Sequence, residues 1–297
     1  MEKNSINQKS LLSPLVSVVV ASYNHALFIS RALDSVLQQT YSNIELIIVD
    51  DCSKDASSIQ IKAWIAKAAN KDRFVRVIFE VLPENLGAHD ALNFGATLAK
   101  GIFINFLNSD DLFAQDRINL LVEELLSTGG LWGFTGIKVI DQDGLDVYPV
   151  RLPPEVGFAY EGIEHARNNY PTLSCGLLER NFVISTGNIF INTHLFNQVG
   201  GFRNLKYLHD WDFILRAIRL AEPIVIEKQL YLYRLHGTNS FKSLANLAAI
   251  EGAFVMTEYF RSLAIGTPNI LAPSPRNWPV LFDIWVHALG LRHFVEA

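Results

Sequence analysis

Sulfur is scarce in this chain: two cysteines, Cys52 and Cys175, in 297 residues. That excludes a disulfide-stapled scaffold and fits a reduced, cytoplasmic setting. No stretch offers about 18 uninterrupted apolar residues, so no spanning helix is expected. NWPVLFDIWVHALGLRHF near the C-terminus comes nearest, but Asp283 and His287 interrupt it. It reads as a buried or interfacial helix, suited to docking on the inner face of a membrane or on a partner. The opening MEKNSINQKS is polar and lacks the apolar centre of a signal peptide. Lysine and arginine are scattered and the formal net charge is -5, so no basic stripe marks a nucleic-acid binder. Glycine is missing where a phosphate-binding fingerprint would need it. The turn after the first strand reads ASYNH rather than GxGxxG, and no P-loop is present. A nucleotide site here would have to be built from side chains and metal.

What the chain has is apolar mass and rhythm. At 49% hydrophobic it can fill a large core, in one domain or one domain with a lobe. Residues 1–14 read as a loose tail. Over residues 15–126 a strand–helix unit then repeats four times. Strands are expected at 15–21, 44–49, 74–80 and 102–107. Helices are expected after Asn24, which is placed to cap, and over 56–69, 87–100 and 114–126. The repeat implies a mostly parallel central sheet flanked by helices, an α/β fold with right-handed crossovers. The rhythm then breaks across 127–240. LWGFTGIKVIDQDGL suggests an antiparallel pair turning near Asp143-Gly144. Residues 151–180, with Pro153, Pro154 and Pro171, read as a long loop or short helices over a site. A strand over 182–191, a short helix closed by Gly200 or Gly201, an amphipathic helix over 209–221 and a strand over 224–235 follow. Residues 241–297 form a helical extension.

Two pairs of adjacent aspartates end apolar runs. IELIIVDD ends on Asp50 and Asp51, and IFINFLNSDD ends on Asp110 and Asp111. Both pairs belong at the carboxyl edge of the sheet, where α/β folds bind ligands. Four carboxylates gathered there would repel one another, and a cation with a phosphate ligand would relieve the strain. The plainer alternative is that NSDD is only a polar turn with a helix cap.

The motifs in series resemble the inverting family 2 glycosyltransferases of the GT-A, nucleotide-diphospho-sugar transferase fold. The resemblance runs over about residues 14–240. It rests on a strand, polar turn, helix and strand followed by Val49-Asp50-Asp51-Cys52-Ser53-Lys54-Asp55, and on Asn85-Leu86-Gly87 with Asn93 and Gly95. Asn108-Ser109-Asp110-Asp111, His209-Asp210-Trp211 and Arg234-Leu235-His236 complete the series. His89-Asp90, Asn108 and His209 depart from the family wording; Asn108 stands for an aspartate and His209 for a glutamate.

The resemblance implies roles. Asp51 accepts hydrogen bonds from the donor's base while Asp50 braces the turn. Ser22, Tyr23 and Asn24 wall the base and ribose, and Asn85 and Asp90 line the nucleotide-sugar region. Asn108 and Ser109 belong to the same nucleotide-sugar group. Asp110 holds Mn2+ or Mg2+; His236 joins it or donates to the leaving phosphate. Arg234 forks onto the diphosphate. Asp210, opening a helix, is the base for the acceptor hydroxyl, with Asp212 the second candidate. His209, Trp211 and Asp212 form the acceptor side, although Trp211 by itself reads rather as core. The implied reaction transfers a sugar from a UDP-sugar or other nucleotide-sugar donor to a saccharide or lipid-linked acceptor in surface polysaccharide, lipopolysaccharide or capsule synthesis. A binding or accessory protein with a degenerate site is the alternative. A nucleotidyltransferase would need a Gly-rich basic loop that this chain lacks.

Overall fold

The computed structural model describes residues 13–147, 152–237, 239 and 244–295. Most of the predicted tail, and residues 241–243 of the helical extension, lie outside them. Among the described residues the elements run β1 Val16–Ser22, α1 Ile29–Leu37, β2 Ile44–Asp50, α2 Ser57–Ile65, α3 Ala68–Asp72, β3 Arg76–Val81, α4 Ala88–Leu98, β4 Phe103–Asn108, β5 Leu112–Phe113, α5 Arg117–Thr128 and β6 Trp132–Ile140. The second half continues with α6 Pro154–Asn169, α7 Leu173–Glu179, β7 Phe190–Asn192, α8 Thr193–Val199, α9 His209–Ile218, β8 Ile224–Arg234, α10 Ala248–Leu263, α11 Pro279–Ala288 and α12 Arg292–Val295.

The strands form one sheet in the order β3-β2-β1-β4-β7-β6-β8-β5. Its first four strands are mutually parallel. The short β7 runs antiparallel to both β4 and β6, and β6 is parallel to β8. Two reversals restore direction, so β1, β2, β4, β6 and β8 all end at the same edge. That edge gathers Ser22, Asp50, Asn108, Ile140 and Arg234. Side chains alternate across β1: Val18 and Val20 pack with α1, α2 and α5, whereas Val19 joins Ile47, Phe106 and the apolar faces of α4, α8 and α9.

Several expected elements differ, each for a local reason. Asn24 does not cap α1, which starts at Ile29 behind Phe28 with no side-chain cap. Asn24 is left-handed (φ 53°), and its Oδ1 accepts from the Lys54 amide instead. The strand expected at 182–191 shrinks to Phe190–Asn192. Asn181 Oδ1 takes the amides of Val183 and Ile184, and Ser185 Oγ takes that of Gly187, diverting them from the ladder. Of the two alternatives for residues 151–180, the helical one holds: two helices, Pro154–Asn169 and Leu173–Glu179, with Pro154 at the first helical position, where it costs no hydrogen bond. Among the described residues the hairpin near Asp143-Gly144 is a turn with one bridge, Ile140 to Asp146; β6 spends its length beside β8. Helix α4 stops at Leu98, and Ala99 is extended, ahead of the expected Gly101 stop.

Candidate active site

At the common strand edge, Asp110 meets two imidazoles. Asp110 Oδ2 lies 2.9 Å from His236 Nε2 and 3.9 Å from His25 Nε2. One ligand atom from each of the three residues lies within 4.8 Å of the others. They come from the turn after β1, the end of β4 and the loop after β8. Phe28 backs the group, with ring centroids 4.8 Å from His236 and 6.0 Å from His25. Burial alone would raise the Asp110 carboxyl, but the His236 hydrogen bond and both imidazoles more than offset it and hold it below its ordinary value.

The other three paired aspartates are occupied by the protein. Asp51, buried, accepts the amides of Leu86 and Gly87 at 2.8 Å and the Asn85 side-chain amide at 2.9 Å. Burial still leaves it above the usual carboxylate value. Asp50 Oδ1 accepts from the Ser53 amide, while its buried Oδ2 and the Ser22 hydroxyl beside it have no protein partner among the described residues. Asp111 accepts from the Tyr231 hydroxyl at 2.5 Å and the Arg234 amide at 2.8 Å; burial, then Asp110, raises it well above the ordinary range. Of the four carboxylates expected around one cation, Asp110 alone lies beside the two histidines; other donors engage Asp51 and Asp111, and Asp50 keeps one buried oxygen without a partner among the described residues.

Arg234 clamps the same edge. Its Nε donates to the Asp110 carbonyl at 2.6 Å and its Nη1 to the carbonyls of Asp141 and Gln142. Its buried Nη2 has no partner among the described residues, leaving a donor for an anion. Asn108 ties β4 to the loop before β7, donating to Ser185 Oγ at 2.8 Å and accepting from Thr186. Ser109 Oγ lies 2.8 Å from His25 Nδ1. Tyr23, 41% exposed, stands at the rim. Asp90, in the first turn of α4, lies 3.5 Å from His89 Nε2.

Asp210 opens α9. Its carboxylate accepts from Asn181 Nδ2 at 2.8 Å and the Trp211 amide at 2.7 Å. Burial lifts it to about 6, and those donors do not bring it back. Asn181 leads through Ser185 and Thr186 to Asn108, so Asp210 and the end of β4 are hydrogen-bonded to one loop. Tyr233 also joins them: burial, then the charges of Asp111, Asp110 and Asp210, raise its hydroxyl well above its ordinary value. His209 is lowered to about 4 by burial and by His89 beside it, so it is neutral at pH 7. Trp211 packs against the core and donates to the Leu177 carbonyl at 2.8 Å. Asp212 faces away from Asp210, paired with Arg216 at 2.6 Å and Arg203 at 3.3 Å.

The order of these parts has a counterpart elsewhere: the sequence profile described as glycosyl transferase family 2 matches residues 17–192, more than half of the chain. The chain belongs to glycosyl transferase family 2. As a family 2 glycosyltransferase it is 28% identical, over 80% of its length and 70% of the relative's, to an uncharacterized glycosyltransferase of Rickettsia typhi. It is 35% identical to the putative teichuronic acid biosynthesis glycosyltransferase TuaG of Bacillus subtilis, over 44% of this chain and 50% of that one. Among solved structures, S. aureus TarS 1-349 in complex with UDP-GlcNAc has a TM-score of 0.65 at 19% identity, covering 92% of this chain and 73% of that one. The mannosyltransferase PcManGT of Pyrobaculum calidifontis, in complex with GDP-Man and Mn2+, has a TM-score of 0.63 at 15% identity, over 99% and 79%. The fold is thus that of the GT-A transferases.

Sequence reasoning on this family 2 glycosyltransferase missed His25, Asn181 and Tyr233. His25 alone left a usable signal, since it lies in the turn that follows a parallel strand. Among the described residues, no helix is long and apolar enough to cross a membrane.

Proposed function

We propose that this glycosyltransferase is an inverting enzyme that moves one sugar from a nucleotide-sugar donor, a UDP-sugar first, to a hydroxyl of a saccharide or lipid-linked acceptor in surface polysaccharide synthesis. The observation that carries the proposal is a set of residues able to hold a cation at the sheet edge together with a buried carboxylate raised to about 6, the two linked through Asn181 and Tyr233.

The donor set fits a divalent ion. Ligands at right angles, each about 2.1 Å from a metal, stand about 3.0 Å apart. The His236 to Asp110 separation of 2.9 Å meets that spacing. Asp110 and His236 would hold Mn2+ or Mg2+, which neutralises charge on a departing diphosphate. Arg234 offers its unpartnered Nη2 to the same phosphate oxygens. Asp50 and Asp51 end β2 one strand away from β1, about 10 Å from the β4 edge, which suits a nucleoside lying across Ser22, Tyr23 and Asn24.

Asp210 would take the proton of the acceptor hydroxyl as its oxygen attacks the anomeric carbon. The bond from that carbon to the diphosphate breaks on the opposite side, and its electron pair leaves with the phosphate. One displacement inverts the centre. A base near pKa 6 is ionised at neutral pH yet still basic enough to accept a proton. Asn181 and the Trp211 amide fix its orientation. The likeness to TuaG supports a polysaccharide product. Exposed Val280, Leu281 and Ile284 on α11 support acceptor work at the cytoplasmic face of a membrane.

A thermal-shift screen of nucleotide sugars with and without Mn2+ tests the reading. A true donor raises Tm only when Mn2+ is present. If no nucleotide sugar raises it under either condition, the donor assignment is wrong.

A further inference from the structure

We propose that a cavity between α9 and α10 is a binding site for a phosphate group, separate from the sheet edge where sugar transfer is placed. The cavity measures about 230 Å³, and four arginines, Arg203, Arg216, Arg219 and Arg261, line it against two acids, Asp212 and Glu258. Asp210 and Asp212 stand two residues apart on α9 and point to different sides of it, so the cavity lies behind the proposed base.

The protein's own ion pairs leave positive charge over. Asp212 is shared by Arg216 at 2.6 Å and Arg203 at 3.3 Å. Glu258 is shared by Arg203 at 3.1 Å and Arg261 at 3.6 Å. Two carboxylates thus serve three arginines. Among the described residues, Arg219 pairs with no carboxylate. Its Nη2 donates to the carbonyls of Ser262 and Gly266, both at 2.8 Å, and these carry only partial charge. Its Nε is buried with no partner among the described residues. A buried donor on a charged group is costly to leave unmade, and an anion's oxygen would complete it. Burial lowers both Arg216 and Arg219 below the ordinary guanidinium value, as befits a place short of negative charge.

These features select the ligand. The cavity has room for a phosphate group and several waters. Four guanidiniums against two carboxylates match a phosphate dianion better than a single carboxylate. Planar guanidiniums fork onto phosphate oxygens. Arg216 is spent on Asp212 and on the carbonyls of Val199 and Gly201, so it supplies field rather than contact. Arg203 and Arg261 are 38% and 66% exposed, so their head groups can swing onto an incoming anion. Ile265, 87% exposed, lines the same cavity. The phosphate can therefore come free or on a lipid headgroup at a membrane surface.

Thermal melts of the intact chain in inorganic phosphate, at constant ionic strength and with EDTA to keep the sheet edge free of metal, test the assignment. The wild type should gain Tm in a saturable way. Arg203→Gln and Arg219→Lys should each weaken phosphate about tenfold, the second while keeping the positive charge. Glu258→Gln releases Arg203 and Arg261 from a competing carboxylate and should tighten phosphate about threefold, which a purely structural ion-pair network does not predict. Cosedimentation with phosphatidylglycerol vesicles, compared with phosphatidylcholine vesicles, identifies the source. A phosphatidylglycerol preference that the same arginine variants weaken assigns the site to a headgroup, and phosphate binding without that preference assigns it to a free phosphate. Binding to neither probe, or binding that both arginine variants leave unchanged, would overturn the proposal.

Discussion

Asp210→Asn keeps the shape of the proposed base and removes its charge. Burial moves the carboxyl from 3.8 to about 6, which corresponds to about 3 kcal/mol between the two protonation states. The folded chain holds this proton more tightly than the unfolded chain. The penalty is therefore absent below pH 3.8, grows as pH rises, and is complete above about 6. Asparagine escapes it but sets its own NH2 against the Asn181 amide, whose oxygen is committed to Val183 and Ile184. That mismatch costs about 1 kcal/mol. The variant should thus be more stable than wild type by about 2 kcal/mol at pH 8, and by only about half a kcal/mol at pH 5. Sugar transfer should fall by about 10²–10⁴-fold, because no group remains to accept the hydroxyl proton. Urea melts at the two pH values, with donor turnover measured on the same samples, read both effects. A variant that is less stable at pH 8 and transfers sugar at the wild-type rate would refute the reasoning.

Other perturbations separate binding from architecture. Wild-type transfer should climb with pH through an apparent pKa near 6, set by Asp210, and a flat profile from pH 5 to 8 would remove Asp210 from the proton path. Asp110→Ala should abolish the Mn2+-dependent rise in Tm, worth about 2.7 kcal/mol at a hundredfold excess over Kd in the wild type. Asp212→Ala strips Arg216 of its buried partner and should cost about 3 kcal/mol in urea unfolding, with nucleotide-sugar binding unchanged in the folded fraction. Gly87→Ala meets a left-handed backbone (φ 98°) and places a methyl 2.8 Å from the His89 ring. It should destabilise by about 1–3 kcal/mol and weaken donor binding, since the Gly87 amide anchors Asp51.

The first half of the fold was legible because its strands are short apolar runs between helices of clear period. The doubled aspartates marked the right edge because a parallel strand delivers its last residues there. Which aspartate faces a ligand was not legible: Asp51 and Asp111 are taken up by donors that include backbone amides reaching them across 35 to 123 residues of chain. His25 carries no spacing relation to Asp110 or His236, and only the order of β1, β4 and β8 brings them together. Asp212 was weighed as a functional acid, yet Arg216 four residues on, one helical turn away, already offered the structural partner. Residues 182–191 read as strand from their apolar content, but Asn181 and Ser185 compete for the same amides.

The central claim is tested most directly by a crystal structure with UDP and Mn2+, recorded with anomalous scattering from manganese. The account places the anomalous peak about 2.2 Å from Asp110 Oδ2 and His236 Nε2, with the diphosphate between that ion and Asp210. A manganese peak away from Asp110, or UDP seated on a surface that Asp210 does not face, would contradict it.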